Sequence, residues 1–192
     1  MAVLPDLRGP HEEACRRFVG YVERIQPDQW SAPTPCSDWN VRALVDHVIR
    51  WNTFVPEFLA GKSIADIPDA FGRDVLGADP ASAAARSAEE SISAFNAPGA
   101  LELLVHHPYG ELPGAQVLYL RLFDNVIHGW DLATALGVAH PIDPEVAGLL
   151  YAVSDAQRDA IRASGAFGPE VPVAPDADIQ TRLLGLLGRQ AG

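Results

Sequence analysis

A proline-free apolar segment over residues 115–136 constrains the fold of this chain more than any other stretch. Its length and composition predict a helix, on which each residue turns by about 100°. Asp124, His128 and Asp131 then share one narrow stripe of that helix. A stripe that faces a protein core should not carry three polar groups unless they have a partner. A bound metal ion is one such partner, and the rest of the chain can be searched for further ligands.

Apolar residues at three- and four-residue steps predict further helices elsewhere in the chain. Residues 61–79 indicate a long crossover, residues 101–110 a short strand or extended turn, and residues 170–174 lean towards β-structure. We therefore expect a mainly all-α protein. A four-helix bundle with a long crossover would occupy residues 1–137, and a short C-terminal extension that leans towards α/β structure would occupy residues 138–192. The predicted helices cover residues 10–25, 39–59, 80–96, 115–136, 143–164 and 176–187.

The composition argues against several classes of partner. The net charge is −11, from 14 basic and 25 acidic residues, and Lys62 is the only lysine. Nucleic acids and anionic membrane surfaces need a basic footprint, so we expect neither as a partner. No apolar run is long enough for a transmembrane helix, and residues 1–9 lack the pattern of a signal peptide. Two cysteines without C-x-x-C spacing fit a reducing cytosol, so we expect a cytoplasmic protein.

The second predicted helix supplies a further candidate ligand, His47, which lies among apolar residues at helical spacing and should point inward. His47, Asp124 and His128 would give a divalent ion three protein ligands and leave a position open, as catalytic sites do. Zinc is the first expectation, and two histidines with one carboxylate also suit iron. Asp131 would orient His128 or act as a fourth ligand. A plainer interpretation stays open, in which Asp124 and His128 form a surface pair and His47 belongs to the core.

Other residues near these motifs are interpreted more plainly. Arg121, one turn before Asp124, is expected to pair with Asp124 or Asp131, and binding of an anionic substrate group is the alternative. Cys36 would lie about 16 Å from His47 along a helix axis, too far for a shared metal ion. The remaining expectations place Cys15, Trp39, Trp51 and Trp130 in the core, and the pair His106-His107 at the surface or in a turn, with the mouth of a pocket as its alternative.

Two motifs resemble the hallmarks of a known family. Residues 34–47, Thr-Pro-Cys-Ser-Asp-Trp-Asn-Val-Arg-Ala-Leu-Val-Asp-His, resemble the first motif of the mycothiol-dependent maleylpyruvate isomerase N-terminal domain family, and residues 124–133 resemble the second. That family is part of the DinB/YfiT-like superfamily of metal-binding four-helix bundles. The tail, residues 167–173 and 182–189, resembles an actinobacterial metal-binding subgroup. The resemblance implies a DinB-like bundle whose metal ligands are His47, Asp124 and His128.

The resemblance also implies a chemistry. A divalent metal, zinc first with nickel, iron and manganese as alternatives, would serve a transferase or isomerase that uses a low-molecular-weight thiol such as mycothiol. Departures from the isomerase argue against maleylpyruvate as the substrate, because Asp124 replaces a glutamate and only residues 138–192 stand in place of a larger C-terminal domain. The alternative is a noncatalytic metal-binding or ligand-sensing bundle with a structural metal. We expect a homodimer in either case.

Overall fold

The computed structural model describes residues 5–190, and within them the protein is mainly helical with one small antiparallel sheet. Residues 1–4, and with them part of the segment in which we expected no signal peptide, lie outside the described residues. The mainly all-α prediction is confirmed. Among the described helices, none combines the length and the apolar composition that crossing a bilayer requires.

Four long helices form the bundle, and each packs against two others. The first packs against the third and the fourth, and the second packs against the same two helices, so the order around the bundle is first, third, second, fourth. The second and fourth helices, which carry the candidate ligands, are therefore neighbours. The helices are α1 (Arg8–Val22), α2 (Val41–Leu59), α3 (Pro80–Asn96) and α4 (Gly114–Ala135).

Side-chain caps decide where two of these helices begin. The side-chain oxygen of Asn40 accepts a 2.9 Å hydrogen bond from the backbone N–H of Ala43, so α2 begins at Val41 rather than at the predicted residue 39. Asp79 accepts from the N–H of Ser82 in the same way, directly before Pro80, and α3 begins where the sequence predicted. The crossover between α2 and α3 contains one short 3₁₀ turn, Ile64–Asp66.

A β-hairpin precedes α4. Its strands are β1 (Leu104–His107) and β2 (Gly110–Pro113), paired antiparallel with His107 opposite Gly110. The segment predicted as a strand or an extended turn is thus the first half of this hairpin. Strand β1 packs against α2 and α4, which brings His107 close to the candidate site.

Three shorter helices follow α4: α5 (Pro144–Ala156), α6 (Arg158–Ser164) and α7 (Ile179–Leu186). The prediction of one helix over residues 143–164 was wrong, because the helix is interrupted at Gln157 (φ −112°). Helix α6 has no fully buried residue and contacts the core through the half-buried Ile161, so little packing surface holds the segment in one continuous helix.

The segment predicted to lean towards β-structure, residues 170–174, forms no strand. It lies against α7 instead, where the backbone N–H of Val171 donates a 2.9 Å hydrogen bond to the carbonyl oxygen of Gly185. A Cβ atom at Gly185 would lie 2.8 Å from the carbonyl oxygen of Val171, so the close approach requires glycine.

The C-terminal helices share the core of the bundle. Leu150 of α5 and Leu183 of α7 belong to the same buried cluster as Phe54 of α2 and Leu118 of α4. Gly137, with a φ of +70°, follows α4 and stops that helix. The division of the chain into a bundle over residues 1–137 and an extension over residues 138–192 stays a prediction.

Candidate metal centre

The packing of α2 against α4 brings His47, Asp124 and His128 together. One donor atom from each of these residues lies within 4.8 Å of the other two. Nε2 of His47 is 3.2 Å from Oδ2 of Asp124, and Nε2 of His128 is 4.0 Å from Oδ1 of the same carboxylate. Two imidazoles and one carboxylate at such separations fit a divalent ion, although whether they hold one stays a prediction.

A buried carboxylate orients the ring of His128. Nδ1 of His128 lies 3.1 Å from Oδ2 of Asp131, whose side chain is fully buried. A proton on Nδ1 that is donated to Asp131 leaves the lone pair of Nε2 facing Asp124. Metal-binding histidines commonly have this arrangement, in which the second ring nitrogen donates to a carboxylate. The geometry matches the first of the two roles expected for Asp131.

Arg121 keeps Asp124 ionised. Nη1 of Arg121 donates a 2.6 Å hydrogen bond to Oδ2 of Asp124, so Arg121 pairs with this acid and not with Asp131. Burial by itself would raise the pKa of Asp124. The charge of Arg121 and the hydrogen bond from His47 outweigh burial and hold that pKa well below its ordinary value. Burial also lowers the pKa of His47, which favours the uncharged imidazole that a metal ion needs.

Asn52 fixes the guanidinium group of Arg121. The side-chain oxygen of Asn52 accepts from Nε and Nη2 of Arg121 at 3.2 and 3.0 Å, and from Nδ2 of Asn125 at 3.1 Å. This network crosses from α2 to α4 inside the core, where the side chain of Arg121 is almost fully buried. Because its guanidinium is engaged by Asn52 and Asp124, Arg121 has little left to offer to an anionic substrate group, which was the alternative role.

The partner of Asp131 comes from the end of the chain. Nε and Nη2 of Arg189 donate to the two carboxylate oxygens of Asp131 at 3.1 and 2.8 Å. Burial would raise the pKa of Asp131, and His128 and Arg189 together lower it below its usual range. Sequence reasoning missed Arg189, because 58 residues separate it from Asp131 and no periodicity connects them.

Cys36 lies closer to the centre than we predicted. The loop before α2 folds back, with an antiparallel bridge between Pro33 and Asn40 and a 2.8 Å hydrogen bond from Oγ1 of Thr34 to the carbonyl of Trp39. Sγ of Cys36 therefore falls within 4.8 Å of donor atoms of His128 and Asp131, a proximity that the distance along a helix axis to His47 did not reveal. Burial raises the pKa of the Cys36 thiol.

Cys36, His128 and Asp131 make a second group of potential ligands, but it is less suited to a cation. The carboxylate of Asp131 is already bound by the guanidinium of Arg189 and accepts from His128. A cation there would have to compete with a buried positive charge. The first group, with His47 and Asp124, is the better candidate.

Tryptophans border the centre. The ring of Trp39 lies over His47 at 4.5 Å and near His128 at 5.3 Å between centroids, and Trp51 lies 6.2 Å from His47. Both tryptophans are half-buried and pack against the edge of the core, so the expectation that they belong to the core holds for them only in part. Trp130 is buried, as predicted. Cys15 is fully buried in the core, as predicted.

A cavity of about 220 Å³ opens beside the centre, and both His47 and Asp124 line it. His107 lines it too and is buried, so the preference for a surface position was wrong for this residue, and the pocket alternative applies. His106 is exposed and pairs with Glu111, as the surface interpretation predicted. A larger cavity of about 680 Å³ lies between α1 and α5, and none of the candidate ligands lines it.

A helical bundle in which neighbouring helices contribute two histidines and an acid is typical of metal-binding helical-bundle proteins. The family model described as the mycothiol maleylpyruvate isomerase N-terminal domain matches residues 11–133, which include all three candidate ligands. The chain therefore belongs to this family, and the resemblance in its motifs is confirmed.

The chain is also similar to proteins of Mycobacterium tuberculosis. It is 35% identical over 137 residues to the uncharacterized protein Rv0738 of strain ATCC 25618 / H37Rv, and equally to the uncharacterized protein MT0763 of strain CDC 1551 / Oshkosh. Each alignment covers 71% of this chain and 71% of the relative. No solved structure is significantly similar to the chain.

Proposed function

We propose that the protein binds a divalent metal ion, zinc first, through His47, Asp124 and His128, and that it uses a low-molecular-weight thiol such as mycothiol in a transferase or isomerase reaction. One observation carries this proposal. The three donor groups lie together, and two of them, His47 and Asp124, line a cavity through which a ligand can approach. The thiol is inferred from the family to which the chain belongs.

The surrounding residues would prepare the centre for an ion. Asp131 would accept a hydrogen bond from Nδ1–H of His128 and leave the lone pair of Nε2 free to coordinate. Arg121 binds Oδ2 of Asp124, while Oδ1 faces His128. When bound, the ion would act as a Lewis acid and lower the pKa of a coordinated thiol.

A structural, noncatalytic metal is the alternative function. A structural ion would be needed to hold α2 and α4 together. However, the network of Asn52, Arg121 and Asn125 already joins these two helices through buried hydrogen bonds. We therefore favour an ion that can be removed without unfolding the protein.

Metal analysis tests the proposal. Protein purified under mild conditions should carry about one divalent ion per chain, and His47→Ala or His128→Ala should lower the metal affinity by about tenfold or more. His106→Ala is the matched control, because His106 is exposed and pairs with Glu111 outside the centre. Undiminished metal in both ligand variants would contradict the proposed ligands.

A second measurement separates the two functions. The chelator-treated protein should keep its helical circular dichroism and its cooperative unfolding, whereas loss of a structural ion would unfold it. The metal-loaded protein should then accelerate transfer reactions that use mycothiol. An unfolded metal-free protein with no thiol-dependent activity would favour the structural alternative. A cytoplasmic location and a homodimer stay predictions.

A further inference from the structure

The cavity beside the centre is walled by aromatic rings from four parts of the chain. Helix α4 contributes Tyr119 and Phe123, whose centroids lie 6.4 Å apart. Phe167, which follows α6, meets Phe123 edge to face at 6.0 Å. Trp51 of α2 and Tyr109 of the hairpin complete the set. Such rings favour flat apolar groups, because they offer both area and offset or edge-to-face contacts.

Among the described residues that line the cavity, no positively charged group is free to bind an anionic ligand. Among the described residues that line it, Arg121 is the only arginine or lysine, and its guanidinium is bound by Asn52 and Asp124. His107 is uncharged near neutral pH, because burial and the nearby Arg121 charge lower its pKa to about 4. A carboxylate carried into this cavity would lose its hydration and meet only uncharged donors such as Ser154 and Gln157, with no free cation to offset the loss. The net charge of −11 on the whole chain adds to this repulsion.

The size of the cavity limits what enters it. Its volume is about 220 Å³, and a dry cavity of roughly 150 Å³ is known to hold a benzene molecule. One aromatic ring with a short linking arm therefore fits, with the linking atom directed towards His47 and Asp124. A drug-sized molecule, for which pockets of about 300–1,000 Å³ are usual, would extend out of the cavity into solvent.

We propose that this cavity accepts an uncharged aromatic group of a ligand whose donor atom binds at the metal centre, and that it rejects ligands with additional carboxylates. The inference rests on the proposed function, since it needs a metal ion held by His47, Asp124 and His128. It goes further by naming the class of substrate, a molecule with an uncharged aromatic group and not a dicarboxylate. The metal attracts one anionic donor atom, and the aromatic rings select the uncharged remainder of the molecule.

Three thiols of different character test the proposal on the cobalt-loaded protein. Benzyl mercaptan carries an aromatic ring, 2-mercaptoethanol is small and uncharged, and mercaptosuccinate carries two carboxylates. Titration of the thiolate-to-cobalt absorption gives a dissociation constant for each. We expect benzyl mercaptan to bind about tenfold more tightly than 2-mercaptoethanol, and mercaptosuccinate to bind more weakly than either.

Variants locate the selectivity in the cavity. Phe123→Ala should reduce the preference for benzyl mercaptan over 2-mercaptoethanol, measured as the ratio of the two dissociation constants, by about tenfold. Tyr109→Ala should act in the same direction with no effect on folding, because the Tyr109 side chain is largely exposed. Tyr151→Ala is the matched control, since Tyr151 lies on α5 under Arg182 and does not line the cavity.

The outcomes distinguish the aromatic selectivity of the cavity from the metal binding on which it depends. Equal affinity for the three thiols, or tightest binding of mercaptosuccinate, would overturn the aromatic selectivity and leave the metal function standing. A preference for benzyl mercaptan that survives Phe123→Ala and Tyr109→Ala would also overturn it. Failure to bind cobalt, with no absorption change from any thiol, would overturn the metal function and the inference together.

Discussion

His11, buried in α1, ties the stability of the fold to pH at the scale of a single residue. Its Nε2 lies 3.3 Å from Oγ of Ser91 and 3.4 Å from Sγ of Cys15, and its ring meets Phe95 edge to face. Burial, with a smaller effect from Arg121, lowers the pKa of His11 to about 3. The folded protein therefore keeps this imidazole uncharged under conditions where the unfolded chain would protonate it.

Acid should weaken the fold through His11. Its pKa is about 6.5 in the unfolded chain and about 3 in the folded protein, so between these values the unfolded state binds the proton. Stability is fully present above pH 6.5 and falls as the pH drops, by about 1.4 kcal/mol per pH unit. We expect His11→Gln to flatten the slope by that amount between pH 6 and pH 4.

Urea unfolding at several pH values, with a chelator present, measures this slope. The slope is compared and not the absolute stability, because His11→Gln also changes packing. His106→Gln is the control, since the exposed ring of His106 should leave the slope unaltered. An unchanged slope in His11→Gln would contradict the assignment of a depressed pKa to His11.

Some residues of the site could be predicted from the sequence and others could not. The spacing of Asp124, His128 and Asp131 on one helix follows from helical geometry, so their shared stripe was predictable. The approach of His47 depends on which helices become neighbours, and the family motifs supplied that expectation. Arg189 could not be predicted, because only tertiary packing brings it to Asp131.

At the scale of elements, α7 depends on a glycine that lets the preceding segment approach. A Cβ atom at Gly185 would lie 2.7 Å from Cγ1 of Val173 and 2.8 Å from the carbonyl oxygen of Val171. Gly185→Ala should therefore lower the free energy of unfolding by about 1–3 kcal/mol, as overpacking does. Chemical denaturation measures the change.

Gly148→Ala provides the matched control for this substitution. Gly148 also lies inside a helix, α5, and nothing lies within 4 Å of a Cβ atom placed there. Alanine at this position should raise stability by about 0.5–1 kcal/mol, because it favours the helix. A loss of stability in Gly148→Ala equal to that in Gly185→Ala would show that the close approach is not the cause.

Periodicity predicted the long helices well because their apolar faces are continuous. Helices α3 and α4 match the predicted ranges to within a residue or two. The periodicity of apolar residues failed as a predictor where the tertiary packing does not follow the local sequence pattern. The α6 segment has helical composition but no fully buried residue, and the Pro-bounded segment near Val171 bonds to α7 instead of to another strand.

At the scale of the whole molecule, Arg189 fastens the C-terminal segment to the bundle. Its side chain and that of Asp131 are both almost completely buried, and two hydrogen bonds join them. The same carboxylate orients His128. The last part of the described chain is therefore connected to the candidate metal centre through one buried ion pair.

Removing one partner of this pair should be severe. Arg189→Met leaves the carboxylate of Asp131 buried without its cation, and we expect the free energy of unfolding to fall by about 3–5 kcal/mol. The double variant Arg189→Met with Asp131→Asn should recover part of that loss, since no charge then remains unpaired. Urea unfolding of the metal-free proteins measures both changes.

An exposed ion pair supplies the comparison. Arg158 pairs with Asp155 and Glu170 at the surface, where solvent screens the charges, so Arg158→Met should lower the free energy of unfolding far less than Arg189→Met. Similar losses in Arg158→Met and Arg189→Met would contradict the special role of the buried pair.

The separations along the chain between the residues of the centre determine the order and the intervals at which these residues are synthesised. His47 precedes Asp124 by 77 residues, and Arg189 follows Asp131 by 58 residues. At a translation rate of about 5–20 residues per second, these gaps last roughly 4–15 s and 3–12 s. A ribosome therefore delivers His47 first, Asp124 and His128 later, and Arg189 last. A metal ion captured before Arg189 is synthesised would meet a His128 ring whose partner, Asp131, is not yet paired with Arg189.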